Sequence, residues 1–150
     1  MSSARGEIAN LLYLYQERID RADFAGIGEL FAHATMGSDV FAASWTGAEA
    51  IEAMYQGFVR VHEDGTPRTT HTTMNPIIEI DEAAGTATCR SVYVVYQQTD
   101  TLALQPIVTG RYRDRFERVD GAWRYVERIF GVDSLGDMSQ HQLTDDDLTS

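Results

Sequence analysis

The spacing of apolar positions divides the chain into a helical first part and an extended second part. Ile8, Leu11, Leu12, Tyr15 and Ile19 recur at helical intervals and draw one stripe along residues about 5–20. At about 100° per residue, Asp20 falls at the edge of that stripe, where it can face a cavity without being required to. A second helix is expected over about 23–32, with Asp23 as a candidate N-cap and Phe24, Ile27, Leu30 and Phe31 on its apolar face. Gly26 and Gly28 weaken it, so it should be short. Residues about 35–46 read as irregular or a short strand. Thr46-Gly47-Ala48-Glu49 then has the form of a capping box opening a third helix to about residue 62. Ile51, Met54, Tyr55 and Phe58 share its core side, and Glu63-Asp64-Gly65-Thr66-Pro67 ends it.

From there the period changes from 3.6 to 2. Strands are expected over about 68–80, 86–99, 104–119 and 122–133. Asp81 to Gly85 makes the first turn, and Asp120-Gly121 is a two-residue hairpin signal. Pro106 should lie at a strand start or an edge. Helices followed by an antiparallel meander imply an α+β fold, with the helices on one face of the sheet. Residues 134–150 carry no periodicity and include Asp145, Asp146 and Asp147; they read as an acidic, flexible tail or an arm onto a partner. Residues 1–133 form the domain.

Composition narrows the partners. The chain has 150 residues, 43% hydrophobic, enough for one domain with a real core. Twelve basic residues against 23 acidic give a net charge of −11, which argues against nucleic acid and anionic membrane surfaces. Cys89 is the single cysteine and reads as a small buried hydrophobe, so an internal disulfide is excluded. No apolar run approaches the roughly 18–20 residues of a membrane span. The start, Met-Ser-Ser-Ala-Arg-Gly-Glu, has no signal-peptide apolar region, making the cytoplasm the default location. His33, His62 and His141 lack ligand-like spacing, so no metal site is expected.

The candidate chemistry lies in two residues about fifty positions apart. If the fold joins Asp20 to His71, the carboxylate fixes the imidazole tautomer and leaves the other ring nitrogen as a base. The alternatives are a solvated or capping Asp20 and a histidine hydrogen-bonded among Thr69, Thr70, Thr72 and Thr73. Arg128 alternates with Val126, Phe130 and Val132 on an apolar strand face, where it needs either an internal carboxylate partner or a wet surface. It serves structure or touches substrate. Tyr15 lies on the core stripe and is either packing or an acid. Arg111, Arg113 and Arg115 alternate with Glu117 on a solvated or interface face.

Several of these segments resemble the SnoaL-like branch of the nuclear-transport-factor-2-like superfamily. They are Tyr13-Leu14-Tyr15 with Ile19-Asp20-Arg21-Ala22-Asp23-Phe24, then Leu30-Phe31, Gly47 and Thr70-His71-Thr72-Thr73-Met74-Asn75. Gly110-Arg111-Tyr112-Arg113-Asp114 and Asp120-Gly121-Ala122-Trp123-Arg124 with Arg128 complete the set. The resemblance covers about residues 5–133 and implies a cystatin-like cone, three N-terminal helices packed on a curved antiparallel sheet. The branch includes scytalone dehydratase, a hexachlorocyclohexane dehydrochlorinase, a bile-acid 7α-dehydratase and polyketide cyclases. Its lyases use an Asp ending the first helix and a His opening the sheet, which correspond to Asp20 and His71. Tyr15 and Arg128 match a further Tyr and Arg of the bile-acid enzyme.

The resemblance therefore implies a cofactor-free lyase or isomerase acting by dehydratase-type elimination on a small, largely apolar cyclic molecule. Trp45, Met54, Tyr55, Phe58, Val108, Tyr112, Phe116 and Phe130 are the expected substrate-binding wall, since the inner face of a cone is both core and pocket. A non-catalytic binding module is the alternative, as is a scaffold subunit like the ring-hydroxylating dioxygenase β chains. The outer sheet face, with either Tyr93 and Val95 or Val92 and Val94 available, favours a homodimer or homotrimer.

Overall fold

The computed structural model describes residues 3–149. The first helix, α1, spans Ala4–Asp20 and is followed by α2 (Phe24–Leu30). A short hairpin, β1 (Thr35–Ser38) and β2 (Ser44–Thr46), precedes α3 (Ala48–Phe58). Four long strands follow: β3 (Thr69–Asp81), β4 (Thr86–Gln97), β5 (Gln105–Val119) and β6 (Ala122–Leu135). A last turn of helix, α4, covers Asp145–Thr149. The strands form one six-stranded sheet in the order β2-β1-β6-β5-β4-β3. All neighbours are antiparallel except β1 and β6, which run parallel. Register shifts between Met74 and Ile77, Val95 and Tyr96, and Thr109 and Gly110 mark bulges of the kind that bend a sheet.

The expected hydrophobic periods explain these elements. Ile8, Leu12, Tyr15 and Ile19 are the buried face of α1. Asp23 caps α2 by accepting from the Gly26 amide. At the β5–β6 turn, Asp120 and Gly121 both have positive φ, 51° and 81°, as a type I′ hairpin needs. The α+β architecture is as expected, with three differences. Beyond the four long strands the sheet has two more, because residues 35–46, read as irregular or a short strand, fold into the β1–β2 hairpin and β1 adds to β6. The capping box also does not form. Thr46 is a strand residue whose hydroxyl pairs with that of Thr35 at 3.0 Å, and α3 starts from Gly47 without a side-chain cap. That helix ends at Phe58 rather than near 62, because Val59 turns extended and bridges Gln142.

The two faces of the sheet differ sharply. Cross-strand pairs His71–Val95, Thr73–Tyr93, Tyr112–Phe130 and Asp114–Arg128 face the helices. On the outer face, Arg111 pairs with Asp133, Arg113 with Asp39 and Arg115 with Glu127, all solvated. Tyr93 and Val95 are buried inward, whereas Val92 and Val94 face outward, half-buried, beside Ile77.

The segment read as a tail makes specific contacts with the body. The Arg60 amide donates to His141 O at 2.8 Å, and the Leu143 amide to Phe58 O at 2.9 Å. Gln97 Nε2 donates to Gln140 O at 3.0 Å, and Arg60 meets Asp147 through two hydrogen bonds of 3.1 and 2.7 Å.

Candidate active site

The end of α1 and the start of β3 bring Asp20 and His71 together. His71 Nδ1 lies 2.6 Å from Asp20 Oδ1. Asp20 also accepts from the His71 backbone amide at 2.9 Å and from the Thr69 hydroxyl at 2.9 Å. A carboxylate on the last residue of a helix sits at the negative end of the helix dipole, where it is disfavoured. The three donors of β3 offset that and fix the carboxylate in one orientation. With Nδ1–H donated to Asp20, the His71 Nε2 lone pair is left as the free basic position.

Behind the pair stands a cluster of aromatic rings. The Tyr15 ring lies 6.3 Å from the His71 ring, edge to face, and 6.0 Å from that of Tyr112. The Tyr15 and Tyr55 hydroxyls are hydrogen-bonded at 2.9 Å. Burial pushes the Tyr15 pKa up, with Arg128 opposing, so this phenol stays protonated and can serve as a donor. Burial holds Tyr55 and Tyr112 well above the ordinary phenol range as well.

Arg128 is fully buried within this cluster. The internal carboxylate that partners it is Asp114, through Nε–Oδ1 at 2.7 Å and Nη2–Oδ2 at 3.0 Å. Its guanidinium carbon lies 3.7 Å from the Tyr112 ring centroid and 4.6 Å from that of Tyr15. Burial works against the charge, but the adjacent Asp114 carboxylate, together with Tyr125 and Tyr112, outweighs it and holds the pKa of Arg128 well above its ordinary value. Arg128 Nη1 is buried without a hydrogen-bond partner among the described residues, as are Thr73 Oγ1 and Ser91 Oγ on the same sheet face.

The expected wall divides between places. Tyr55 and Tyr112 belong to the cluster around Tyr15. Phe116 packs on Tyr125 at 4.6 Å, in another part of the interior. Trp45 stands opposite Met36 in the β1–β2 ladder, and Val108 opposite Val95 in the β4–β5 ladder. Met54, Phe58 and Phe130 are half-buried against the core, and the Phe58 carbonyl holds the Leu143 amide. Two grooves, of about 560 and 510 Å³, open elsewhere, over Glu79, Thr88 and Arg115 and over Ile77, Arg90 and Arg113, and contact neither Asp20 nor His71. Among the described residues no group of three His, Cys, Asp or Glu side chains is placed to hold a metal ion, and no helix is long and apolar enough to cross a membrane.

Two residues of this interior had no assigned role. Asp114 alternates with Tyr112 and Phe116 on an apolar strand face, as Arg128 does on the next strand; that shared anomaly is a legible sign of a buried pair. His141 carries no such sign. It is 5% exposed, and its ring lies 6.0 Å from that of His71.

A family model described as a SnoaL-like domain matches residues 1–129. Among solved structures, an NTF2-like protein with a cystatin-like fold from Novosphingobium aromaticivorans is 23% identical, with a TM-score of 0.73 over 91% of this chain and 85% of that one. A Mycobacterium tuberculosis protein of unknown function is 26% identical, with a TM-score of 0.69 over 86% of this chain and 71% of that one. A further Novosphingobium aromaticivorans protein, described as a scytalone dehydratase candidate, is 22% identical, with a TM-score of 0.68 over 87% of this chain and 85% of that one. No curated protein matches the chain.

Proposed function

We propose that this chain, which belongs to the SnoaL-like domain family, is a cofactor-independent lyase that removes water from a small, largely apolar cyclic β-hydroxy ketone. The observation that carries this reading is the 2.6 Å contact between His71 Nδ1 and Asp20 Oδ1, on a carboxylate already oriented by Thr69 and the His71 amide. In this reading His71 Nε2 takes the proton from the carbon next to the carbonyl, and Asp20 stabilises the imidazolium that forms. The C–H electron pair becomes the new double bond, the C–O bond breaks, and the departing hydroxyl takes the proton back from Nε2 as water. Tyr15 or Arg128 donates to the carbonyl oxygen as it gains charge. Support for a polar ligand comes from the buried, unpartnered Arg128 Nη1, Thr73 Oγ1 and Ser91 Oγ, since buried polar atoms ordinarily find partners.

The test is a panel of cyclic β-hydroxy ketones followed by enone absorbance, with the native chain and His71→Ala. We expect turnover that falls about 10²- to 10⁴-fold in the variant. Turnover that survives in His71→Ala, or none across the panel, overturns the lyase reading and leaves a binding module.

The outer sheet face supports pairing with a second copy of the chain. Val92 and Val94 project there beside Ile77, which is 49% exposed, within a border of paired arginines. Light scattering should give a dimer or trimer, and Val94→Arg should shift it toward monomer. A clean monomer from the native chain contradicts this.

A further inference from the structure

The segment after β6 brings a second imidazole to His71. Residues 137–147 run as a strap across the end of α3. Gln142 bridges Val59, the Leu143 amide donates to Phe58 O, and Arg60 is held by both His141 O and Asp147. Gln140 O accepts from Gln97 Nε2 and lies 2.9 Å from His62 Nε2. Between these ties the His141 side chain turns inward. Its Nδ1 is buried and has no hydrogen-bond partner among the described residues. A buried imidazole nitrogen left unpaired is disfavoured unless something bonds to it. The match to the family model ends at residue 129, so this histidine lies outside the matched region.

We infer that His141 is a substrate-contacting residue of the site built on His71, hydrogen-bonding through Nδ1 to an oxygen of the ligand. The inference rests on the lyase reading. Two imidazoles whose ring centroids stand 6.0 Å apart can both border one small ring-sized molecule. Burial, and then the neighbouring His71, push the pKa of His141 down to about 3. It is therefore a neutral imidazole, able to donate or accept a hydrogen bond but too weak a base to hold a proton for transfer near neutral pH. That complements His71, whose role is to carry the proton. In the elimination, a neutral donor on the departing hydroxyl weakens the C–O bond while the proton that completes the water comes from His71. The strap delivers this contact, so recognition of the departing hydroxyl belongs to residues 137–147.

The probe is 1-naphthol, an apolar bicycle with one hydroxyl, titrated into ring-¹⁵N-labelled full-length protein. We expect the ring resonances of His71 and His141 to move together with one Kd. His141→Phe keeps the ring but removes both nitrogens, and should bind roughly tenfold more weakly. His141→Gln keeps a hydrogen-bonding group and should restore most of that loss, with all three proteins melting as folded domains. Movement of His71 alone, or equal affinity in His141→Phe, overturns the role given to His141 and leaves the lyase reading standing. If neither ring responds, both fall.

Discussion

Asp114 holds Arg128 through two hydrogen bonds, with both side chains removed from water. Such a pair is far more costly to break than to replace. Arg128→Met should lower stability by about 3–5 kcal/mol, because Asp114 is left buried without its partner. Arg128→Met combined with Asp114→Leu should cost less than Arg128→Met alone. Urea melts measure this, and a double variant weaker than the single one contradicts the account.

Asp20→Asn retains shape but removes the charge that stabilises a protonated His71. The elimination rate should fall about 10²-fold or more, with little change in the affinity for 1-naphthol. Steady-state kinetics beside a binding titration separate these. An equal loss in both would assign Asp20 to packing.

Tyr15→Phe tests which donor serves the carbonyl. The phenol is held protonated by its burial and is bonded to Tyr55. If it donates in the transition state, kcat should fall about 10²-fold while KM changes little. An unchanged kcat leaves Arg128 Nη1 as the donor.

His141 makes stability depend on acid. Its pKa is about 3 in the folded chain against 6.5 ordinarily, through burial and then the proximity of His71. Between those values the unfolded chain binds a proton that the folded chain does not. The stability this group contributes is thus complete above about pH 6.5 and is lost as pH falls toward 3. The native chain should lose stability faster than His141→Phe over that window, by up to about 1.4 kcal/mol per pH unit. Parallel acid limbs of the two melting profiles would contradict this.

The helices, the four long strands and the α+β class were legible because apolar spacing reports burial directly, as along Ile8, Leu12, Tyr15 and Ile19. The Asp20–His71 contact was legible only through resemblance, since no local pattern joins a helix end to a strand 51 positions on. Thr46 was misread because a capping motif is local, and pairing with Thr35 across the β1–β2 hairpin outcompetes it. Asp114 left a trace as a charge on an apolar face. His141 left none: its burial comes from strap contacts to Phe58, Val59, Arg60 and Gln97, and a polar segment without periodicity does not announce tertiary docking.

The most direct measurement is proton NMR of 3-hydroxy-1-tetralone in D₂O with the native chain and with His71→Gln. Loss of water from this ketone gives 1-naphthol, and the C2 hydrogen that His71 abstracts leaves that carbon without being replaced. Formation of 1-naphthol should remove one specific C2 hydrogen, identified with substrate stereospecifically deuterated at C2, and should be slowed about 10²-fold or more in His71→Gln. Equal rates with the two proteins would contradict the assignment of His71 as the base.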